Sequence, residues 1–96
     1  MASTVQIPVE RAQRFPLIAA LRYRKSGVSH WLRGSTINIS RTGVLFQADE
    51  ELPISSVLDL QIKFPLDVTL SCRCSVVRTE ESAYAVHIHN FRLMHA

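Results

Sequence analysis

The sequence predicts an all-β domain, a closed antiparallel barrel of six short strands. Apolar and polar residues alternate with a period of two over much of the chain, and turn-forming residues separate the alternating stretches. No stretch shows a convincing 3.6-residue period, so we expect helices only as short pieces. Because closing a sheet removes exposed strand edges, a barrel is favoured for six strands at hairpin spacing.

The first three predicted strands lie in the N-terminal half. Residues 17–24, LIAALRYR, end just before the turn signal Ser26-Gly27. Residues 35–40, STINIS, and residues 43–48, GVLFQA, flank the turn signal Arg41-Thr42-Gly43. This spacing predicts that the second and third strands form a hairpin.

The last three predicted strands carry the clearest alternation. Residues 57–64, VLDLQIKF, follow Pro53 and place every second side chain inward. Residues 68–76, VTLSCRCSV, repeat the pattern after the turn signal Pro65-Leu66-Asp67, and residues 83–90, AYAVHIHN, form the sixth strand. We therefore expect the apolar side chains of each segment to point into the core and the polar ones to point outward.

Length and composition fit a single domain. With 96 residues and 47% hydrophobic content, the chain can bury one core without disulfides. We divide it into an N-terminal arm at residues 1–16, which contains arginines and is expected to be flexible, the barrel at residues 17–91, and a short C-terminal tail at residues 92–96.

The charge gives a modest bias towards anionic partners. A net charge of +3 is as compatible with a small phosphate ligand as with a nucleic-acid polymer. Proteins that bind single strands stack the bases on several aromatic side chains, and the sequence does not show such a platform. We therefore expect no nucleic-acid polymer as partner. The start, MASTVQIPVER, does not resemble an export signal, and no run approaches eighteen apolar residues. We therefore expect a cytoplasmic domain that does not insert into a membrane.

Two cysteines and two histidines raise the question of a metal or catalytic site. Cys72 and Cys74 stand two apart on one strand, a spacing that favours reduced thiols and a cytoplasmic location. If the last two strands form a hairpin across residues 79–83, the cysteines point into the core while His87 and His89 point to solvent. This separation argues against a metal centre or a catalytic thiol. Without a phosphate loop, a GxSxG elbow or credible paired carboxylates, the sequence favours a non-enzymatic domain.

Polar residues cluster in NISRTG, residues 38–43. The alternation puts Thr36, Asn38 and Ser40 on the outward face, beside a turn that closes at Gly43. In one interpretation Asn38 and Ser40 bond the backbone of their own turn, with Gly43 at a positive φ. In the other, these short polar side chains bind a ligand, and the residues alone leave both interpretations open.

The same residues resemble a known family. Asn38-x-Ser40-x-x-Gly43 resembles the [D/N]-x-S-x-x-G motif of PilZ domains, and the apolar strand GVLF follows it as in that family. Upstream, ERAQRFPLIAALRYR at residues 10–24 resembles the arginine-rich segment that leads into the first PilZ strand. The later strands, ending near residues 85–91, follow the family order, so the resemblance covers nearly the whole chain.

The resemblance implies a six-stranded PilZ-type β-barrel that binds the second messenger cyclic di-GMP. Such a domain is a receiver without catalytic residues, metal or cofactor, and it passes its signal to a partner protein, here unidentified. In this family Asn38 and Ser40 would bond guanine edges, and Gly43 would shape the turn against which the ligand lies. Arginines of the arm would close over the phosphates.

The arm departs from the family pattern. The family signature is R-x-x-x-R, and alignment on the phenylalanine of RFP places its two positions on Gln13 and Leu17. We expect Arg11 and Arg14, helped by Arg41, to supply the guanidinium groups from shifted positions. The alternative is a degenerate PilZ barrel that does not bind the nucleotide and acts as a protein-interaction module.

Overall fold

The fold is built from antiparallel strands. The structure is a computed structural model, and it describes residues 15–95. In chain order the strands are β1 (Phe15–Pro16), β2 (Ala20–Lys25), β3 (Leu32–Ile39), β4 (Gly43–Gln47), β5 (Val57–Phe64), β6 (Val68–Glu80) and β7 (Ala83–His95).

Six of these strands close into a barrel, as the sequence predicts. Their order is β3-β2-β5-β6-β7-β4, and β4 pairs back onto β3. The two-residue strand β1 adds to the end of β3 that β2 leaves unpaired, with Phe15 opposite Ile39 and Pro16 opposite Asn38. The end of the predicted arm therefore joins the sheet at the strand that carries NISRTG.

The inward side chains of the alternating strands form the core. Leu58, Leu60 and Ile62 on β5 are fully buried, with 0% of their surface exposed. Each such side chain stabilises the fold by roughly 1.5–3 kcal/mol through burial of apolar surface. The rings of Tyr23 and Phe46 pack with their centroids 5.6 Å apart, which ties β2 to β4 across the interior.

The β6–β7 hairpin has the predicted phase. Val76 and Val86 pair and are both buried, Cys72 and Cys74 are buried free thiols, and His87 and His89 are exposed. Cys74 Sγ lies 3.7 Å from the Leu58 carbonyl oxygen, to which it can donate. Its hydrogen bond with Cys72, together with burial, raises the pKa of Cys74 far above its ordinary value. This thiol is therefore a neutral packing group.

The strand bounds differ from the prediction in several places: β2 begins at Ala20, β3 begins at Leu32, and β6 extends to Glu80. Strand β7 continues to His95, so residues 92–95 of the predicted tail lie within it. In β3 a bulge falls between Thr36 and Asn38. Because the bulge inserts one extra residue, the strict alternation fails there, and Thr36 is buried at 2% exposure instead of pointing outward.

The buried hydroxyl of Thr36 binds the chain that connects β1 to β2. It donates to the carbonyl oxygen of Leu17 at 2.6 Å and accepts a hydrogen bond from the amide of Ala19 at 2.8 Å. These bonds satisfy a polar group that would otherwise be costly to bury. They also fix the path by which the chain passes from β1 into the barrel.

Candidate ligand-binding site at the β3–β4 turn

Backbone hydrogen bonds hold the β3–β4 turn on two sides. Within the turn, the amide of Ser40 donates to the carbonyl oxygen of Gly43 at 2.9 Å. Across to the neighbouring strand, the amide of Ile88 donates to the carbonyl oxygen of Thr42 at 2.8 Å. The turn is therefore a fixed part of the barrel wall, with little need for a ligand to order it.

The hydroxyl of Ser40 is engaged by its own turn. Its oxygen accepts hydrogen bonds from the amides of Thr42 at 3.3 Å and Gly43 at 3.2 Å, and Ser40 is only 8% exposed. The hydroxyl also lies 3.4 Å from Thr42 Oγ1 and from the Gly43 carbonyl oxygen. These are the contacts of the first interpretation, in which Ser40 stabilises the turn.

Gly43 is needed for a close approach between strands. The prediction of a positive φ at Gly43 is wrong, because Gly27 is the glycine in that region, at 87°. A Cβ built on Gly43 would instead lie 2.5 Å from the carbonyl oxygen of Val86. No real Cβ makes so short a contact, so a side chain at this position would push β4 away from β7.

Asn38 lies where the chain from the arm meets the motif. It is half-buried, follows the bulge of β3, and stands opposite Leu45 on β4 and Pro16 on β1. Because Leu45 is on the outward phase of β4, Asn38 has the outward orientation that the sequence predicts.

The structure places four of the six predicted site residues on one turn: Asn38, Ser40, Arg41 and Gly43. Arg41 is exposed at the tip of that turn. The other two, Arg11 and Arg14, lie outside the described residues. The ligand roles of all six therefore stay a prediction.

Two histidines stand next to the glycine of the motif. His87 pairs with Gly43 on one side and with Ser75 on the other. The rings of His87 and His89 contact edge to face with centroids 5.6 Å apart, and His89 Nε2 is hydrogen-bonded to Ser75 Oγ. The sequence placed both histidines at the surface, but their position beside the turn follows from the β4–β7 pairing, which no local pattern reveals.

The described side chains around the turn offer hydrogen-bond donors and acceptors. No group of three or more His, Cys, Asp or Glu side chains that could hold a metal ion occurs within residues 15–95. Cys72 and Cys74 lie on the inner face of the barrel wall, and His87 and His89 lie on its outer face. Over the same residues, no helix is long and apolar enough to cross a membrane.

Comparison with known proteins identifies the family. A sequence model described as PilZ domain matches residues 8–93. The chain belongs to the PilZ domain family. PilZ domains are in general non-catalytic receptor domains of the type that binds cyclic di-GMP.

A solved structure shares the fold of this PilZ domain. It is described as the crystal structure of the PilZ domain of CeSA from a cellulose-synthesizing bacterium, and it superposes with a TM-score of 0.68. The sequence identity is 12%, and the match covers 82% of each chain. At this identity the similarity shows the barrel fold alone. None of the curated proteins compared matches the chain in sequence.

Proposed function

We propose that this PilZ domain binds cyclic di-GMP at the outer surface of the β3–β4 turn and passes the signal to a partner protein in the cytoplasm. The observation that carries the proposal is the pairing of β1 with β3. With Phe15 opposite Ile39 and Pro16 opposite Asn38, the chain from the arm meets the barrel beside the motif. This pairing supports the proposal, because the family binds its ligand with the arm and this motif together.

The residue types fit the ligand. Cyclic di-GMP carries two phosphates and two guanines, and a guanidinium group binds either phosphate oxygens or the O6/N7 edge of guanine in a bidentate manner. Arg14 directly precedes Phe15 in the sequence and Arg11 precedes it by four residues. At up to about 3.6 Å of chain per residue, both can reach the turn from Phe15.

Some residues of the motif contact the ligand in this proposal, and others stabilise the turn. The amide of Asn38 can both donate to and accept from a guanine edge. Ser40 supports the site mainly by holding the turn, because its hydroxyl already accepts two backbone amides. Arg41, exposed at the tip of the turn, adds a cation beside the motif.

The alternative function is that of a degenerate PilZ barrel that acts only as a protein-interaction module. Two observations favour it. The hydroxyl of Ser40 is used by its own turn, and the arm lacks the R-x-x-x-R spacing. In this case NISRTG serves only to build the turn.

Calorimetric titration of cyclic di-GMP into the full chain at physiological salt separates the two functions. Under the first, the ligand binds saturably, and Arg14→Ala weakens binding by about ten-fold or more, since one charge-assisted contact is worth about 1.5–3 kcal/mol. Arg33→Ala is the matched control, because Arg33 is an exposed arginine at the far end of β3, six residues before Ile39. Absence of binding to the folded domain would leave the protein-interaction function.

A further inference from the structure

The outer surface of β2, β5 and β6, with the adjoining ends of β3 and β7, concentrates positive charge. Six cationic side chains point outward there: Arg22, Arg24, Arg33, Lys63, Arg73 and Arg92. We call this surface the basic face. The strand register makes its members neighbours, since Arg22 pairs with Arg33, and Arg24 and Arg73 both pair with Asp59.

The carboxylates lie elsewhere on the described chain, with Asp59 as the exception. The others stand in the connections between strands and at the tip of the β6–β7 hairpin: Asp49, Glu50, Glu51, Asp67, Glu80 and Glu81. Glu50 is paired with Lys25 and Glu80 with Arg78, both outside the basic face. The small net charge of +3 therefore conceals a strong separation of charge over the barrel.

Two arginines of the basic face already bind a carboxylate, that of Asp59. Arg24 Nε donates to one oxygen of Asp59 at 3.2 Å, and Arg73 Nε donates to the other at 3.1 Å. Arg22 is bonded to the neutral amide of Gln61. Within residues 15–95, Arg33 and Arg92 form no ion pair. The surface therefore keeps guanidinium groups with unused capacity for anionic oxygens.

The shape of this surface suits an extended chain. Two grooves of about 480 and 830 Å³ cover it and share Trp31 and Gln61 in their walls. Side chains two positions apart on a strand, such as Arg22 and Arg24, are spaced about 6.6–6.8 Å apart. Alternate side chains of an extended peptide have the same spacing, so acidic residues at every second position would meet successive cations.

We propose that the basic face binds an acidic, extended segment of a partner protein. Its guanidinium groups donate hydrogen bonds to glutamate or aspartate carboxylates of the partner, as Arg24 and Arg73 do to Asp59. A single-stranded nucleic acid fits less well, because its bases need successive aromatic rings to stack on. The ring of Trp31 is already engaged by Arg22 and Arg24, whose guanidinium carbons lie 4.5 and 4.4 Å from its centroid. The other aromatic ring in the walls, the exposed Phe91, lines only the smaller groove.

The inference does not depend on the binding of cyclic di-GMP. Five of its six cations belong to strands other than β3 and β4, which form the NISRTG turn, and the sixth, Arg33, lies at the end of β3 away from that turn. A receiver needs a surface for its partner, and a surface away from the NISRTG turn leaves the ligand site open while the partner is bound.

Fluorescence anisotropy with a labelled peptide of about ten glutamates tests the proposal on the full chain. The double variant Arg33→Glu with Arg92→Glu reverses two exposed cations of the face. We expect it to bind the peptide at least about ten-fold more weakly than the native chain, roughly 1.4 kcal/mol. The matched control, Lys25→Glu with Arg78→Glu, reverses two cations outside the face and should leave the affinity within about two-fold.

Three results would overturn the proposal. The first is that the native chain does not bind the peptide at low salt. The second is that the Arg33/Arg92 double variant binds the peptide as tightly as the native chain. The third is that an oligothymidylate of equal charge binds more tightly than the peptide. The last result would identify the surface as a nucleic-acid site, with the salt dependence that counterion release produces. Thermal unfolding of each variant shows that the charge changes leave the barrel folded.

Discussion

Gly43 and Val86 approach so closely that position 43 has no room for a side chain. A Cβ there would lie 2.5 Å from the Val86 carbonyl oxygen, a backbone atom that cannot swing aside. We expect Gly43→Ala to destabilise the domain by about 1–3 kcal/mol, because β4 and β7 must separate to accept the methyl group. Chemical denaturation of the variant and the native chain measures this loss.

Gly27 provides the control for this prediction. It has a φ of 87°, and a Cβ there would meet nothing within 4 Å. Asn tolerates a positive φ better than other residues with side chains, so Gly27→Asn should cost less than about 1 kcal/mol. Gly43→Asn should cost more than Gly43→Ala. Equal costs for Asn at both positions would contradict the steric explanation.

Thr36 links the start of the barrel to the motif strand through its hydroxyl. The isosteric change Thr36→Val removes the donor to Leu17 and the acceptor for Ala19 while keeping the side-chain volume. We expect a loss of about 1–3 kcal/mol in the free energy of unfolding, because two partly buried backbone groups lose their hydrogen-bond partner. Thr79→Val, at an exposed site of β6, should change stability by less than about 0.5 kcal/mol.

The period-two pattern was sufficient to predict the barrel and the phase of most strands. The alternation of β5 gave the buried set Leu58, Leu60 and Ile62, and the phase of the last hairpin put the cysteines inside. These features depend on residues close in sequence, because successive side chains of a strand point to opposite faces of the sheet. The same pattern failed at Thr36, because a bulge depends on how β3 pairs with β4.

Features that need distant strands could not be predicted. The role of Gly43 depends on Val86, and the charge neighbours of Arg24 are on β5 and β6. The sequence showed a modest net charge and no clustered basic face. The cluster exists because the register gathers cations that are spread from position 22 to position 92. Sequence separation hid the surface, because the period-two pattern placed only Arg22, Arg24, Lys63 and Arg73 on outward positions, while Arg33 and Arg92 lay outside the predicted strands.

Tyr23 should make stability fall at alkaline pH. It is 1% exposed, and burial, reinforced by the charge of Glu50, raises the pKa of Tyr23 to about 12 from an ordinary value of 10.0. Above pH 10 the unfolded chain loses this proton while the folded chain keeps it. The stabilisation is therefore complete below pH 10 and decreases towards pH 12, by about 2–3 kcal/mol.

Denaturation of the native chain and Tyr23→Phe at pH 8 and pH 11 checks this prediction. The Phe variant lacks the titrating group, so its stability should fall less between the two pH values. The comparison cancels the titration of other groups, which both proteins share. Equal falls would show that Tyr23 titrates alike in the folded and unfolded chains.

Asp59 neutralises two arginines of the basic face and should have opposite effects on folding and on binding. Replacing it by Asn removes the carboxylate that accepts from Arg24 and Arg73. We expect Asp59→Asn to destabilise the domain by about 1 kcal/mol, since exposed ion pairs contribute little each. The same change frees two guanidinium groups, so the glutamate peptide should bind about two- to ten-fold more tightly. Anisotropy and denaturation of this variant measure both effects, and weaker peptide binding would show that Asp59 organises the arginines instead of competing for them.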